Sequence, residues 1–437
     1  MLLEEMELEQ KEDALSLSIN SEKAMIDMGT EIECVRCGTR HLKSDVRLGE
    51  ENNFYYYCST CIQLGRVTSN QLLYFEECRA PVANKQEINL CWEGQLTQAQ
   101  QTVSLKIKKA MFDKTKLLIN AVTGAGKTEM LFSGIEHSLK HGARICIASP
   151  RVDVCLELYP RFSSVFPDIV ISLLYGDQTV PYQYSPFVIC TTHQLLRFYH
   201  AFDVLIIDEV DAFPLVNNSM LQYGINHCKK QQAAVIYLTA TPGKKLLNTT
   251  KTGEIEEVIL PSRYHGFPLP SPRLIWQWRW REVLLSHFNL SKVYTLLESE
   301  VKQNRRLLIF CPNILWMHRF EQVLMKYFPH KNISAVYSAD SQRNAKVTNM
   351  RAGTIDWLLT TTILERGVTF SDIDVMVIGS NHDVYTEATL VQISGRVGRK
   401  ATHPTGAVYF IHDGKTLAMM RCVKRIKKMN QLSGLGG

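Results

Sequence analysis

The sequence predicts an α/β protein with two tandem parallel-sheet domains behind a small cysteine-rich module. Three observations carry that expectation. From about residue 88 short β-branched runs alternate with helical stretches, a proline-bearing break at 261–272 divides them into two series, and two close cysteine pairs precede both. At 437 residues the chain exceeds the roughly 250–300 at which a single core stops growing. Its 45% hydrophobic and 21% charged residues exclude a mainly disordered, collagen-like or coiled-coil chain. No apolar run reaches the roughly 18–20 residues that cross a bilayer, and Glu4, Glu5, Glu7 and Glu9 stand where a secretory leader would be basic. A cytoplasmic location is the expectation.

Taken in order, residues 1–33 read as an acidic leader and 34–87 as a small module with its connector. Cys34, Cys37, Cys58 and Cys61 follow C-x2-C-x20-C-x2-C, a spacing that sets two thiolate pairs around a tetrahedral Zn2+. Four sulfurs leave no open position, so the ion is expected to be structural and to supply folding energy that so short a segment lacks. The remaining cysteines lack paired spacing and read as core residues in a reducing compartment. Phe54, Tyr55, Tyr56 and Tyr57 read as packing within this module.

Residues 88–260 form the first sheet domain, with strand runs at 117–120, 144–148, 169–173, 187–190, 204–207 and 234–238. Prolines mark 261–284 as an interdomain linker. There Trp276, Trp278 and Trp280 alternate with bases; one face could stack nucleobases, but packing along an interdomain strand or core edge is the expectation. Residues 285–437 form the second domain, with runs at 306–310, 356–360, 373–378 and 407–411. Its tail carries six bases and no acid from Lys415 to Lys428, either to track phosphates or as a solvated helix face. The net charge of +6 permits a polyanionic partner without requiring one.

The run 117–120 leads into Ala121-Val122-Thr123-Gly124-Ala125-Gly126-Lys127-Thr128 and then a helical stretch, the strand–loop–helix context of a phosphate-binding loop with alanine in place of the first glycine. Backbone N–H groups from Thr123 through Gly126 would curl around the phosphates of ATP, Lys127 would reach the β- and γ-phosphates, and the Thr128 hydroxyl would meet Mg2+. A second apolar run ends in Asp208-Glu209-Val210-Asp211, carboxylates at the C-terminal edge of a parallel sheet, where ligands bind. Asp208 would hold Mg2+ through water, Glu209 would orient and deprotonate the attacking water, and Asp211 would link this loop to motifs across the cleft.

These motifs, followed by Thr239-Ala240-Thr241 and Gln392-x-x-Gly395-Arg396-x-Gly398-Arg399, resemble those of superfamily-two helicases and translocases over about residues 90–415. The resemblance implies two RecA-like domains, Thr239 and Thr241 coupling hydrolysis to movement, and Arg396 and Arg399 neutralising transition-state charge beside Gln392. Gln100 resembles the glutamine that reads the adenine edge, with a helix cap at Thr97 and an ordinary surface glutamine as the competing reading. Pro150 and Arg151, Thr191, Thr192 and His193, and Thr361, Thr362 and Arg366 match backbone-binding motifs for nucleic acid, with Gly367 counted in the nucleotide set.

With the cysteine module in front, TGAGKTE, DEVDAFP, SRYHGFPLP at 262–270 and a basic final helix, the chain resembles the ComFA competence ATPases of Gram-positive bacteria from residue 34 to about 430. That resemblance implies an ATP-driven motor on single-stranded DNA that helps draw transforming DNA inward. It also implies a place at the inner face of the membrane held through partners: the membrane DNA channel and a phosphoribosyltransferase-like product of the same operon. A homo-oligomer is compatible with it. A replication-restart helicase similar to PriA is the related alternative, and a zinc scaffold that binds nucleic acid without hydrolysis is the alternative from another class.

Overall fold

In a computed structural model of the protein, residues 19–50, 53–76, 88–176, 182–366, 368 and 370–435 are described. The chain divides into two units, Met1–Ile119 with Thr128–Val258, and Asn120–Lys127 with Ile259–Gly437.

The amino-terminal module is all β. Strands β1 (Ile19–Lys23), β2 (Met25–Asp27), β3 (Glu31–Cys34), β4 (Arg40–Leu42), β5 (Arg47–Glu50), β6 (Asn53–Tyr56) and β7 (Leu72–Glu76) form three small antiparallel sheets, with β7 returning to pair with β1. The residues read as an acidic leader are therefore folded from Ile19 onward. Period-two alternation explains it: Ile32 and Cys34 turn inward while Glu31 and Glu33 face outward, so acidic composition hides an amphipathic strand. Ala24, Met25, Ile32, Val46, Val67 and Leu73 make a small apolar cluster around the cysteines, extended by Leu196 of the first sheet domain.

The first large sheet has the order β10-β11-β9-β12-β13-β8-β14, from β8 (Lys116–Ala121), β9 (Ile145–Ser149), β10 (Ile171–Leu174), β11 (Phe187–Thr191), β12 (Phe202–Ile207), β13 (Lys229–Thr239) and β14 (Glu256–Leu260). The pairs β10–β11, β11–β9, β9–β12 and β12–β13 are parallel. Helices α1 (Gln98–Phe112), α2 (Lys127–Lys140), α3 (Val152–Val165) and α4 (Ser219–Cys228) lie among these strands in the chain. Sheets covered on both faces want unbroken apolar strands, and β9 and β11 are buried at every position.

The second sheet has the order β15-β20-β19-β16-β18-β17, from β15 (Arg273–Trp276), β16 (Arg306–Phe310), β17 (Ile333–Val336), β18 (Trp357–Thr360), β19 (Ile373–Val377) and β20 (Val408–His412), and all five pairings are parallel. Helix α5 (Glu387–Ser394) precedes β20, and the basic tail becomes α6 (Leu417–Leu432), which buries Met419, Cys422, Ile426 and Met429 and leaves most of its bases outside.

The three tryptophans separate. Trp280 is core, edge-on to Trp316 and so close to Gly379 that a Cβ there would lie 2.2 Å from its ring. Trp276 and Trp278 are 52% and 60% exposed beside the cations of Lys292 and Arg279. The linker stretch 261–284 thus contributes an edge strand and a core residue to the second unit. Strands β14, β15 and β17 were not anticipated, being short and polar-interrupted or next to prolines.

Candidate active site and cysteine cluster

Strand β8 ends at Ala121, so the alanine in the first loop position is still strand and needs no glycine conformation. Gly124 and Gly126 do need it, with φ of +79° and +74°. Residues 120–127 group with the second unit, where Tyr264 N donates to Gly124 O at 3.3 Å. A Cβ at Gly395 would fall 1.9 Å from Thr123 Oγ1, which reserves that position for glycine. Lys127 Nζ folds back to donate to Ala121 O at 3.4 Å. In the first unit, Arg161 donates to the Thr128 hydroxyl at 3.4 Å and pairs with Glu129. No sequence motif pointed to Arg161.

Strand β12 delivers the carboxylates. Asp208 N is anchored on Ala148 O at 2.8 Å, and Asp208 Oδ1 accepts the Glu209 N–H at 2.9 Å. Glu209 has φ of +52°, a left-handed conformation that costs a non-glycine residue about 1 kcal/mol or more and clusters at functional sites. Thr239 Oγ1 donates to Asp211 Oδ1 at 2.6 Å, Thr241 Oγ1 donates to the other carboxylate oxygen, and Thr241 N donates to Thr239 Oγ1 at 2.9 Å. Three residues named as a coupling set are thus one hydrogen-bonded group at the ends of β12 and β13.

In the second unit the arginine loop leaves α5 at Gly395. Arg396 is buried and donates from Nε to Glu365 O at 3.2 Å, and Arg399, partly exposed, donates from Nε to Gly395 O at 3.2 Å. Gln392 is buried in α5. The loop's conformation rests on a residue whose role the sequence did not disclose. Arg263, 2% exposed, donates to Val397 O at 2.8 Å, Gly398 O at 2.7 Å and Gly395 O at 3.3 Å, and His265 meets Gly398 O at 3.0 Å. Burial, and after it the charge of Arg399, pulls the Arg263 guanidinium down to about 9, leaving it a cation at neutral pH. Both residues lie in the SRYHGFPLP segment, which carried a signal of family but none of role.

The candidate nucleic-acid residues divide by burial. Thr191 is paired in register with Ser149, so the loops bearing Pro150 and Arg151 and those bearing Thr192 and His193 leave neighbouring strand ends. The Thr192 side chain is fully buried, and burial lowers the His193 pKa, so this imidazole is a neutral hydrogen-bonding group at physiological pH. Thr361 and Thr362 are partly exposed, Arg366 is buried with its Nε 3.5 Å from Glu365, and Gly367 lies outside the described residues. Gln100 is buried in a capping box: Thr97 N donates to its Oε1 at 2.8 Å and its own N donates to Thr97 Oγ1 at 3.3 Å. It caps α1 from within the fold and is not a surface residue.

The four cysteine sulfurs lie within 4.8 Å of one another. Separations of 3.8 Å for Cys34–Cys61 and 3.5 Å for Cys37–Cys58 and Cys58–Cys61 match the edge of roughly 3.8 Å that a tetrahedron with Zn–S of about 2.3 Å requires. Buried Arg36 donates to Cys61 Sγ at 3.2 and 3.4 Å, to Cys61 O at 2.9 Å, to Leu64 O at 3.1 Å and to Gly65 O at 2.5 Å, while His41 Nε2 lies 3.2 Å from Cys58 Sγ. These outer partners orient sulfur ligands, and C-x2-C spacing does not announce them. Tyr223 of α4 docks the module by donating to Val35 O at 2.7 Å, against Gly38, where a Cβ would lie 2.4 Å from its ring.

Known proteins match this arrangement. The competence protein ComFA N-terminal domain family matches residues 1–75, the family of the type III restriction enzyme res subunit matches 93–244, and the helicase conserved C-terminal domain matches 289–401. In fold the chain is similar to RecG bound to a three-way DNA junction, with a TM-score of 0.54 at 21% identity over 77% of this chain and 45% of that one, so it spans under half of that larger protein. It is 38% identical to the competence protein ComFA of Bacillus subtilis over 96% of this chain and 88% of that protein. With the ComFA of Streptococcus pneumoniae it shares 40% identity over 87% of each. Two parallel-sheet domains of the superfamily-two helicase fold behind a four-cysteine module, matched along nearly the whole chain, place this protein in the ComFA family of competence proteins.

Proposed function

We propose that the protein is an ATP-hydrolysing motor that tracks single-stranded DNA and draws transforming DNA into the cell. The observation that carries this reading is the Asp211 carboxylate, which holds both Thr239 and Thr241. A carboxylate loop that only bound metal would not need such a tether. A loop that must pass its movement to the next strand end does.

In this reading the loop amides and Lys127 bind the phosphates of ATP. Thr128 and Asp208 hold a Mg2+ that neutralises phosphate charge when bound, and Glu209 orients the attacking water and takes its proton. Arg396 and Arg399, with Gln392, stabilise charge on the transferred phosphoryl group, and Gly367 belongs to the nucleotide set. Gln100 addresses adenine while capping α1. Pro150, Arg151, Thr191, Thr192, His193, Thr361, Thr362 and Arg366 form the strand path, with the buried members acting through backbone or by positioning. Zn2+ at the four cysteines holds the module together. No helix among the described residues is long and apolar enough to cross a membrane. Membrane placement in this reading comes from the DNA channel and a phosphoribosyltransferase-like partner.

The test is ATP turnover by the zinc-loaded protein with single-stranded DNA, duplex DNA or RNA at equal nucleotide concentration. Stimulation by single-stranded DNA above the other two is expected, and no turnover under any condition sinks the reading. Lys127→Ala should lower turnover by roughly a hundredfold or more while DNA retention persists; unchanged turnover removes the site assignment. For the uptake role, a competent host that depends on the Lys127→Ala chain should yield almost no transformants.

A further inference from the structure

A groove of about 660 Å³ lies between the cysteine module and the first sheet domain, within the roughly 300–1,000 Å³ range of ligand sites. From the module it is lined by Thr60 and Cys61 of the second cysteine pair and by Gln63 and Leu64 of the turn that follows. From the sheet it is lined by Pro150, Thr191 and His193, which leave adjacent strand ends and belong to the proposed strand path. Both walls belong to the first unit.

Three features fit this groove to a nucleic-acid strand. Among the described residues that line it there is no carboxylate, and Arg197 is the one lysine or arginine. Hydroxyl, amide and imidazole groups line it beside apolar surface, a mixture that suits phosphate oxygens and base faces without reading sequence. Its module wall is rigid, because Arg36 ties the carbonyls of Cys61, Leu64 and Gly65 together, and Leu196, which also lines the groove, packs in the module's own apolar cluster. A wall built this way is pre-organised and spends little ordering entropy on binding.

We propose that this groove takes a segment of the single DNA strand continuing from the Pro150 and Thr191–His193 loops, which makes the cysteine module one wall of the motor's DNA path. The inference rests on the reading of those loops as DNA contacts. It assigns the module a place beside the strand that its zinc alone would not give it.

The experiment measures affinity for fluorescent oligo-dT by anisotropy in zinc-loaded wild type, Gln63→Glu and Arg47→Glu, each checked for one zinc per chain. Arg47 is exposed on the module and does not line the groove, and its reversal changes the module's charge by more than the Gln63 change does. Gln63→Glu should weaken binding roughly tenfold, equivalent to about 1.4 kcal/mol, with Arg47→Glu weakening it less. An equal or larger loss in Arg47→Glu overturns the groove in favour of a general field, and unchanged affinity in Gln63→Glu overturns it while leaving the motor reading intact. Failure of the wild type to bind single strands overturns both. Independent of any variant, crosslinking of a 5-iodouracil oligonucleotide to wild type should yield adducts on peptides containing residues 60–64 or 191–197; adducts confined to other peptides overturn the groove.

Discussion

Two buried arginines, Arg36 in the cysteine module and Arg263 in the second unit, are used alike and balanced differently. Each fans its guanidinium over three backbone carbonyls of a loop that carries functional side chains, the knuckle of Cys61 in one case and the loop of Arg396 and Arg399 in the other. A planar fork suits this work because one side chain can satisfy several acceptors that turns leave unpaired. The difference is the neighbour. Arg36 also faces the sulfur of Cys61, an anion when it binds metal, whereas Arg263 faces the cation of Arg399, which adds to the cost of its burial. One loop is therefore braced by an attraction that metal strengthens, and the other is held by hydrogen bonds against a repulsion. In the proposed reading, the second is the arrangement expected of a loop that changes partners as ATP is hydrolysed.

The largest effect should come from taking the anions away. Zinc removal by a chelator, or Cys58→Ser, should abolish metal binding worth on the order of 10 kcal/mol of folding free energy and open the module to limited proteolysis, while the sheet domains resist. Full zinc retention by Cys58→Ser would count against the four-cysteine site.

Next comes Arg263→Ala, which strips three carbonyls of their donor and should lower stability by about 3 kcal/mol in urea unfolding, with a matching fall in ATP turnover as the arginine loop loses its position. Arg263→Lys should recover little, since a single ammonium cannot span the three acceptors; full recovery would mean that only charge matters. Arg36→Met should be milder, weakening zinc roughly 10-fold to 100-fold in a competition titration as an outer partner of a ligand. If it proves as severe as Arg263→Ala for turnover, the two arginines are not separable in function.

Glu300 sharpens the comparison from the side of the anions and carries the smallest effect. It is buried, accepts a hydrogen bond from the Tyr409 hydroxyl at 2.9 Å, and is pushed up to about 7 by burial first and by Asp374 second. A carboxyl whose pKa is raised by folding binds more protons in the native state between about 4.5 and 7, so its contribution to stability is full below that window and is lost as pH rises through it. Glu300→Gln keeps an acceptor for Tyr409 and removes the charge. It should stabilise the protein by about 1–2 kcal/mol at pH 8 and hardly at all at pH 4.5. Equal effects at both pH values would place the proton elsewhere.

Much of the candidate site's local geometry was legible because it is set by short-range structure. Glycines at left-handed turns, a lysine and threonine opening a helix, and carboxylates ending an apolar strand are set by neighbours in the chain, and the strands at 117–120, 187–190 and 306–310 were found within a residue or two for the same reason. What escaped notice lay between segments distant in sequence. Nothing around Arg263 announces that it serves a loop more than a hundred residues away, and nothing around Arg36 distinguishes it from a surface base between two cysteines.

The sequence alone determined which groups are present and their order along the chain: four cysteines spaced for a metal, a glycine-rich loop between a strand and a helix, a carboxylate strand edge, a threonine pair and an arginine loop. Those depend on residue type and short spacing, which folding cannot change. Only the tertiary structure decided which buried polar groups support them: that Asp211 closes on two threonines, that two arginines brace two loops, that Trp280 is core while Trp276 and Trp278 are exposed, and that the module meets the first sheet along a groove. The physical reason is that a hydrogen-bonding group buried in a fold must find partners wherever packing brings them. That choice belongs to the whole chain, and local sequence does not record it.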